Sequence, residues 1–163
     1  MARVITFSRY YQTNHPKRGE PTYFREKIWA GLAELFFPDF QIPNEITDWD
    51  WHQYYNAIPK YHTIRKGYRW KVGDKFSPRV WSGKPYASKQ IIIAPDIEIK
   101  KIWDFTLLGG NAFIDRNDFM NDEQLTELAK NDGLSLKDFV DWFENFSYHF
   151  EGQILCWNEN IDY

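Results

Sequence analysis

Lys60–Lys89, KYHTIRKGYRWKVGDKFSPRVWSGKPYASK, is the stretch on which the reading of this chain turns. It carries nine Lys/Arg and one acid, Asp74, for a formal charge of +8. The whole chain of 163 residues holds 20 basic and 23 acidic side chains, so everything outside the stretch sums to −11. A net charge of −3 therefore conceals a polarised molecule. Tyr61, Tyr68, Trp70, Phe76, Trp81 and Tyr86 interleave with the cations. Cations pair with phosphates and aromatic faces stack on bases, so the combination fits nucleic acid or a nucleotide. The same composition also describes a solvated pair of strands whose aromatics face a core.

Within the stretch, Tyr61–Arg65 reads as a short strand. Alternation places Tyr61, Thr63 and Arg65 on one face and His62 and Ile64 on the other. His62 thus shares a face with an aliphatic, the usual place of a hydrogen-bonded core histidine. Residues 65–69 and Gly73-Asp74 are turns. Lys75–Trp81 is a strand with Pro78 inside it, hence an edge or a bulge. Ser82-Gly83-Lys84-Pro85 is a hairpin loop.

Working outward, residues 4–8 are β-branched and aromatic and form a first strand. Pro21-Thr22 opens a helix with Thr22 as N-cap. Phe24, Ile28, Leu32, Leu35 and Phe36 make its apolar stripe, and Pro38 ends it. Residues 38–59 are expected to be irregular, a long connection that walls a site or plugs a barrel end with Trp49 and Trp51. Downstream, residues 90–94 and 97–108 read as strands, Gly109-Gly110 as a turn, and 112–114 as a short strand. From Asn111 onward the chain has 12 acids and three basic residues, most simply a solvated face. Asn121 with Gln124 forms a capping box, and Gly133 stands where a helix C′ glycine belongs. Ser135 caps the next helix, with Leu134 and Phe139 as a hydrophobic staple. Residues 153–157 close the chain as a strand.

The length bounds the answer to one domain, residues 1–163, with 38–59 as a long insertion. Aromatics at 19% exclude a disordered chain. No apolar run approaches the ~18 residues of a membrane span, and the N-terminus lacks the apolar core of a secretory signal. The lone Cys156 excludes an internal disulfide and fits the cytoplasm. His15, His52, His62 and His149 share no ligand spacing, so neither a metal nor another cofactor is expected. The element order predicts an α+β fold. It is a small, partly open β-barrel of five to six strands, with an N-terminal helix and two short C-terminal helices.

The segment Pro59-Lys60-Tyr61-His62-Thr63-Ile64-Arg65, followed by Trp70-Lys71-Val72-Gly73-Asp74, resembles the ASCH domains of the PUA-like superfamily. Their signature is G-x-K-x-x-T-x-R on an early strand, then a G-D turn into the next strand. Ile58 replaces the motif glycine, and residues 9–59 exceed their counterparts in the smallest members. The resemblance implies a pseudo-barrel with a cleft between barrel and helices, and binding of RNA or of a modified nucleoside or nucleotide. Some small bacterial members are amidohydrolases acting on N4-acylated cytidine. They use the motif Lys and Thr and a Glu near the end of the penultimate helix, which map here to Lys60, Thr63 and Asp132.

Two main functions follow as expectations. As a binding module, the chain would hold its ligand through Lys60, Thr63, Arg65, Arg69, Trp70, Lys71, Arg79 and Lys84. As an amidase it would use Lys60, Thr63 and Asp132. Thr63 needs a base for its proton, and Lys60 serves only if its amine is neutral, which requires a pKa brought down from ~10.4 toward ~7–8. Lys60 and Thr63 are three apart and would face opposite ways on one strand, but Pro59 places Lys60 ahead of the strand, where the two can converge. A protein-interaction domain that docks through its acidic helices is a third, weaker alternative.

Overall fold

A computed structural model describes residues 2–163 as an α+β fold built on two four-stranded sheets. In chain order the elements are β1 (Arg3–Thr6), α1 (Phe24–Phe36), α2 (Trp51–Tyr55), β2 (His62–Lys66), β3 (Lys75–Trp81), β4 (Gln90–Ile92) and β5 (Ile97–Glu98). Then come β6 (Lys101–Leu108), β7 (Asn111–Ile114), α3 (Asp122–Asn131), α4 (Leu136–Trp142), a 3-10 turn (Glu144–Phe146) and β8 (Phe150–Cys156). Eight strands stand in place of the five to six expected for a barrel: each segment read as a strand forms one, and 97–108 forms two.

In the first sheet β3 is central. It pairs in parallel with β1, so that Arg3 lies opposite Phe76 and Thr6 opposite Arg79, and antiparallel with β4 and β5. Pro78 lies within β3, opposite Ile5. The second sheet runs β2-β8-β6-β7, all antiparallel. The segment expected as one strand over 97–108 breaks at Ile99-Lys100. Its first part pairs with β3 in one sheet and its second with β8 in the other. Neither sheet closes into a barrel among the described residues. Their shared core is aromatic: Phe76 of β3 lies 5.8 Å, ring to ring, from Trp157 just past β8, and both are buried.

Helix α1 buries Phe24, Ile28 and Leu32 of its expected stripe, whereas Leu35 is half-buried and Phe36 is exposed at the helix end; Trp29, outside that stripe, is buried and donates its indole N–H to the Ile93 carbonyl at 2.7 Å. Its start differs from expectation. The N-cap is Tyr23, in a left-handed conformation, while Thr22 bridges the turn by donating to the Ser8 carbonyl and accepting from the Phe24 amide. The connection at 38–59 holds a one-turn helix, α2, whose Asp50 side chain accepts from the Gln53 amide. Trp49 does pack inward, edge-on to Trp29 at 6.0 Å, but Trp51 is exposed.

Helices α3 and α4 follow their sequence signals. The Asn121–Gln124 capping box is reciprocal, Gly133 has φ +81°, and Ser135 accepts from the Asp138 amide, with Leu134 and Phe139 both buried. No helix among the described residues is long and apolar enough to cross a membrane.

Candidate functional site

The segment entering β2 is held on both sides before the strand begins. The Lys60 amide donates to the Lys27 carbonyl on α1, and the Tyr61 amide to the Asn131 carbonyl at the end of α3. Lys60 therefore stays outside the strand, which starts at His62. Its ammonium ends between α1 and α3, 2% exposed, and donates to the Asp132 carboxylate at 2.5 Å and to the Asp132 carbonyl at 2.7 Å. The Phe24 ring lies 4.5 Å below it, within cation–π range. Asp132 is placed by its role as C-cap of α3. The glycine that follows permits the turn and leaves room, since a Cβ at Gly133 would sit 3.3 Å from the Lys60 Cβ.

Lys60, Thr63, Arg65 and Asp132 line one cavity of about 140 Å³, walled by Phe7, Phe24, Trp142 and Phe143. The Lys–Thr pair that a regular strand would splay apart thus converges, because Lys60 precedes the strand. The Thr63 hydroxyl makes no hydrogen bond among the described residues, although the residue is buried. Arg65 donates one Nη to the Thr6 carbonyl at 3.0 Å and rests over Phe7 at 5.2 Å, while its Nε is buried without a partner. Thr63 and Arg65 are thus the polar residues of β2 that line the cavity, although the unpartnered Nε of Arg65 is itself buried.

The electrostatics are those of buried charges held by pairing. Burial by itself would raise the Asp132 carboxyl. The Lys60 ammonium and His62 outweigh it, and the carboxyl stays below its ordinary value, as a carboxylate. Burial lowers the Lys60 ammonium, with Asp132 opposing that change. Burial, with Lys60 alongside, brings Lys27 down to about 8, and burial brings Arg65 down to about 10. The site thus meets the condition set for a basic amine in direction, through desolvation and neighbouring cations.

The remaining predicted ligand-binding residues lie outside this cavity. Arg69, Lys71 and Lys84 are exposed. Arg79 is half-buried and bonded to Ser77 and Gln90, and Trp70 lies under the Arg3 guanidinium at 3.8 Å, with its backbone bonded to the Gln153 amide group. Trp70 thus closes one end of the core instead of offering a free face.

Sequence reasoning underrated His62. It is a core residue as expected, fully buried, but among the described residues neither ring nitrogen has a hydrogen-bond partner, and Nδ1 stands 3.5 Å from Asp132 Oδ1. Its place in the motif next to Thr63 was the only signal, and alternation assigned it to the face away from the cavity. A second grouping also escaped the spacing argument. The ligand atoms of His15, Asp138 and Asp141 lie within 4.8 Å of one another. Those groups are already engaged. His15 Nδ1 accepts from the Lys17 amide, its Nε2 faces the Asp138 carbonyl at 3.1 Å, and Lys17 and Lys137 neutralise the two carboxylates.

No family model matches the chain, and neither does any curated protein or solved structure.

Proposed function

We propose that the chain binds a nucleobase, as a modified nucleoside or as one base of an RNA, in the cavity floored by Thr63 and Arg65, on a fold of the ASCH, PUA-like kind. The observation that carries this reading is the convergence of Lys60, Thr63, Arg65 and Asp132 on one small cavity with aromatic walls. Its donors and acceptors suit the polar edge of a base, and Phe7, Phe24, Trp142 and Phe143 suit its faces. The volume of about 140 Å³ is below the roughly 300–1,000 Å³ of drug-sized sites, which supports entry of a single base with the sugar and phosphates outside. Exposed Arg69, Lys71 and Lys84 are then available to the phosphates of a longer strand. The reducing cytoplasm expected from the lone Cys156 is the natural setting for such a ligand.

A second reading is favoured by the Lys60–Asp132 contact and the free Thr63 hydroxyl: an amidohydrolase acting on N4-acylated cytidine. Thr63 Oγ would attack the acyl carbonyl while a neutral Lys60 takes its proton. That proton would pass to the departing N4 amine as the C–N bond breaks, and water would then hydrolyse the acyl-threonine. The acid at 132 orients the amine.

One experiment separates the two. Cytidine, N4-acetylcytidine and a short single-stranded RNA are titrated at low salt by calorimetry, and the N4-acetylcytidine samples are then analysed by chromatography. Saturable binding without conversion is expected for the first reading, with at least a tenfold loss in Thr63→Ala and Arg65→Ala. Conversion to cytidine that disappears in Lys60→Ala and Thr63→Ala establishes the second. Absence of both binding and conversion overturns both.

A further inference from the structure

Two groups share one oxygen of Asp132. The Lys60 ammonium lies 2.5 Å from Oδ1, and His62 Nδ1 lies 3.5 Å from the same atom. His62 does not line the cavity, is completely buried, and leaves both ring nitrogens unpartnered. A buried polar group without a partner is costly, so a fully buried imidazole with two of them calls for a reason. An aliphatic side chain would fill the same space in β2 without that cost.

We propose that His62 is a positioning residue of the cavity, a reserve cation partner for Asp132 that lets Lys60 be released to the ligand. This assignment rests on the reading of the cavity as a ligand site. A carboxylate left alone in this interior would be strongly unfavourable, since it would have lost both its hydration and its counter-charge. When Lys60 gives up its proton, Asp132 Oδ1 carries it and passes it to His62 Nδ1. Lys60 is left as a neutral amine, Asp132 is again a carboxylate, and His62 becomes the imidazolium beside it. One proton moves and the total charge of the three groups is unchanged. The other groups facing the ring are few. Tyr163 of the C-terminal segment lies edge-on at 5.7 Å, the Leu128 carbonyl of α3 lies near the ring, and Cys156 of β8 is the register partner of His62. Burial holds the Tyr163 phenol and the Cys156 thiol neutral; burial also pushes the His62 imidazolium below its ordinary value, Asp132 favours the charged ring and Lys60 opposes it, so the ring gains a proton when Lys60 loses its own.

The test needs no ligand and no activity. The ring nitrogens of the four histidines are followed by 15N NMR from pH 5 to 9 in the wild type, in Lys60→Met and in Lys60→Met/Asp132→Asn, with His15, His52 and His149 as internal references. In Lys60→Met the midpoint of His62 is expected to rise at least one pH unit, a tenfold gain in proton affinity, and the double variant is expected to abolish the gain. Lys60→Arg, which keeps the cation, is expected to leave the midpoint in place. An unchanged midpoint in Lys60→Met overturns the proposal. Where Lys60→Met does not fold, Asp132→Asn decides: a His62 midpoint that falls below its wild-type value supports the proposal, and an unchanged midpoint overturns it. Because ligand titration is a separate measurement, failure of this relay and failure of the binding reading give different results.

Discussion

Gly31 on α1 faces the carbonyl oxygen of Lys60 so closely that a Cβ there would lie 2.6 Å from it. The obstacle is backbone, which cannot swing aside as a flexible side chain would. In a helix interior alanine is ordinarily favoured over glycine by about 1 kcal/mol. Here the overlap outweighs that preference, and Gly31→Ala is expected to lose on the order of 1–2 kcal/mol in urea denaturation. It also moves Lys60 away from Asp132, so ligand affinity falls with stability. A stabilised Gly31→Ala variant would contradict the close packing of α1 on the site.

The Lys60–Asp132 pair gives an asymmetric pattern of substitution. Both side chains are buried, so removing one deprives the other of its nearest counter-charge. Lys60→Met or Asp132→Leu alone is expected to cost about 3–5 kcal/mol. The double variant is expected to cost much less, because no unpaired charge remains. A double-mutant cycle in denaturant checks this. Costs that simply add would show that the two side chains carry no coupling energy.

Acid stability follows from the sign of the Asp132 shift. Its carboxyl titrates lower in the folded protein than in the unfolded chain. The stabilisation is therefore fully present above the ordinary aspartate value of about 3.9 and is lost as pH falls through the lower folded value. Asp48 and Asp138 are shifted the same way and add to the same window. Asp132→Asn is expected to flatten the decline between about pH 5 and 2, measured as the urea midpoint against pH.

Lys27 works in the opposite direction. Its folded value of about 8 lies below the ordinary 10.5, so between these limits the unfolded chain binds the extra proton. Stability is expected to rise with pH across that interval, and Lys27→Gln is expected to remove the rise. Tyrosine and lysine titrations elsewhere are common to both proteins, so the difference between the two curves is the quantity to read.

The exposed cations should separate strand binding from base binding. Arg69→Glu, Lys71→Glu and Lys84→Glu together are expected to weaken RNA binding and to lower its log–log salt slope by about 0.7 for each phosphate no longer neutralised. Affinity for a free nucleoside is expected to be unchanged, because none of the three lines the cavity. An equally weakened grip on both ligands would place these residues in base recognition instead.

Local chemistry made part of this legible from sequence. The capping box at Asn121, the C′ glycine at 133, the staple of Leu134 and Phe139, and the displacement of Lys60 from β2 by Pro59 each depend on a few neighbouring residues, and each is realised. Asp50 with Gln53 carried the same kind of signal for α2, but residues 51–55 make only one turn, too short for a period to show. What stayed hidden is non-local. Nothing within residues 97–108 announces that the chain changes sheets at Ile99-Lys100, and β1 finds β3 in parallel across some seventy residues. The convergence at Asp132 was reachable only through the motif resemblance. The orphaned state of His62 was not reachable at all, because period-two alternation says which way a side chain points and nothing of what waits there.

Lys60 and its carboxylate partner are 72 positions apart, on either side of the chain's divide between cationic and anionic halves. During synthesis the amine emerges long before the acid that permits its burial. Until the helix ending at Asp132 arrives, that lysine must remain hydrated, and β2 is without the strand that flanks it. The hollow therefore exists only in the finished protein: a nascent or truncated chain would carry the whole basic stretch, and its general attraction for polyanions, with no place to seat a base.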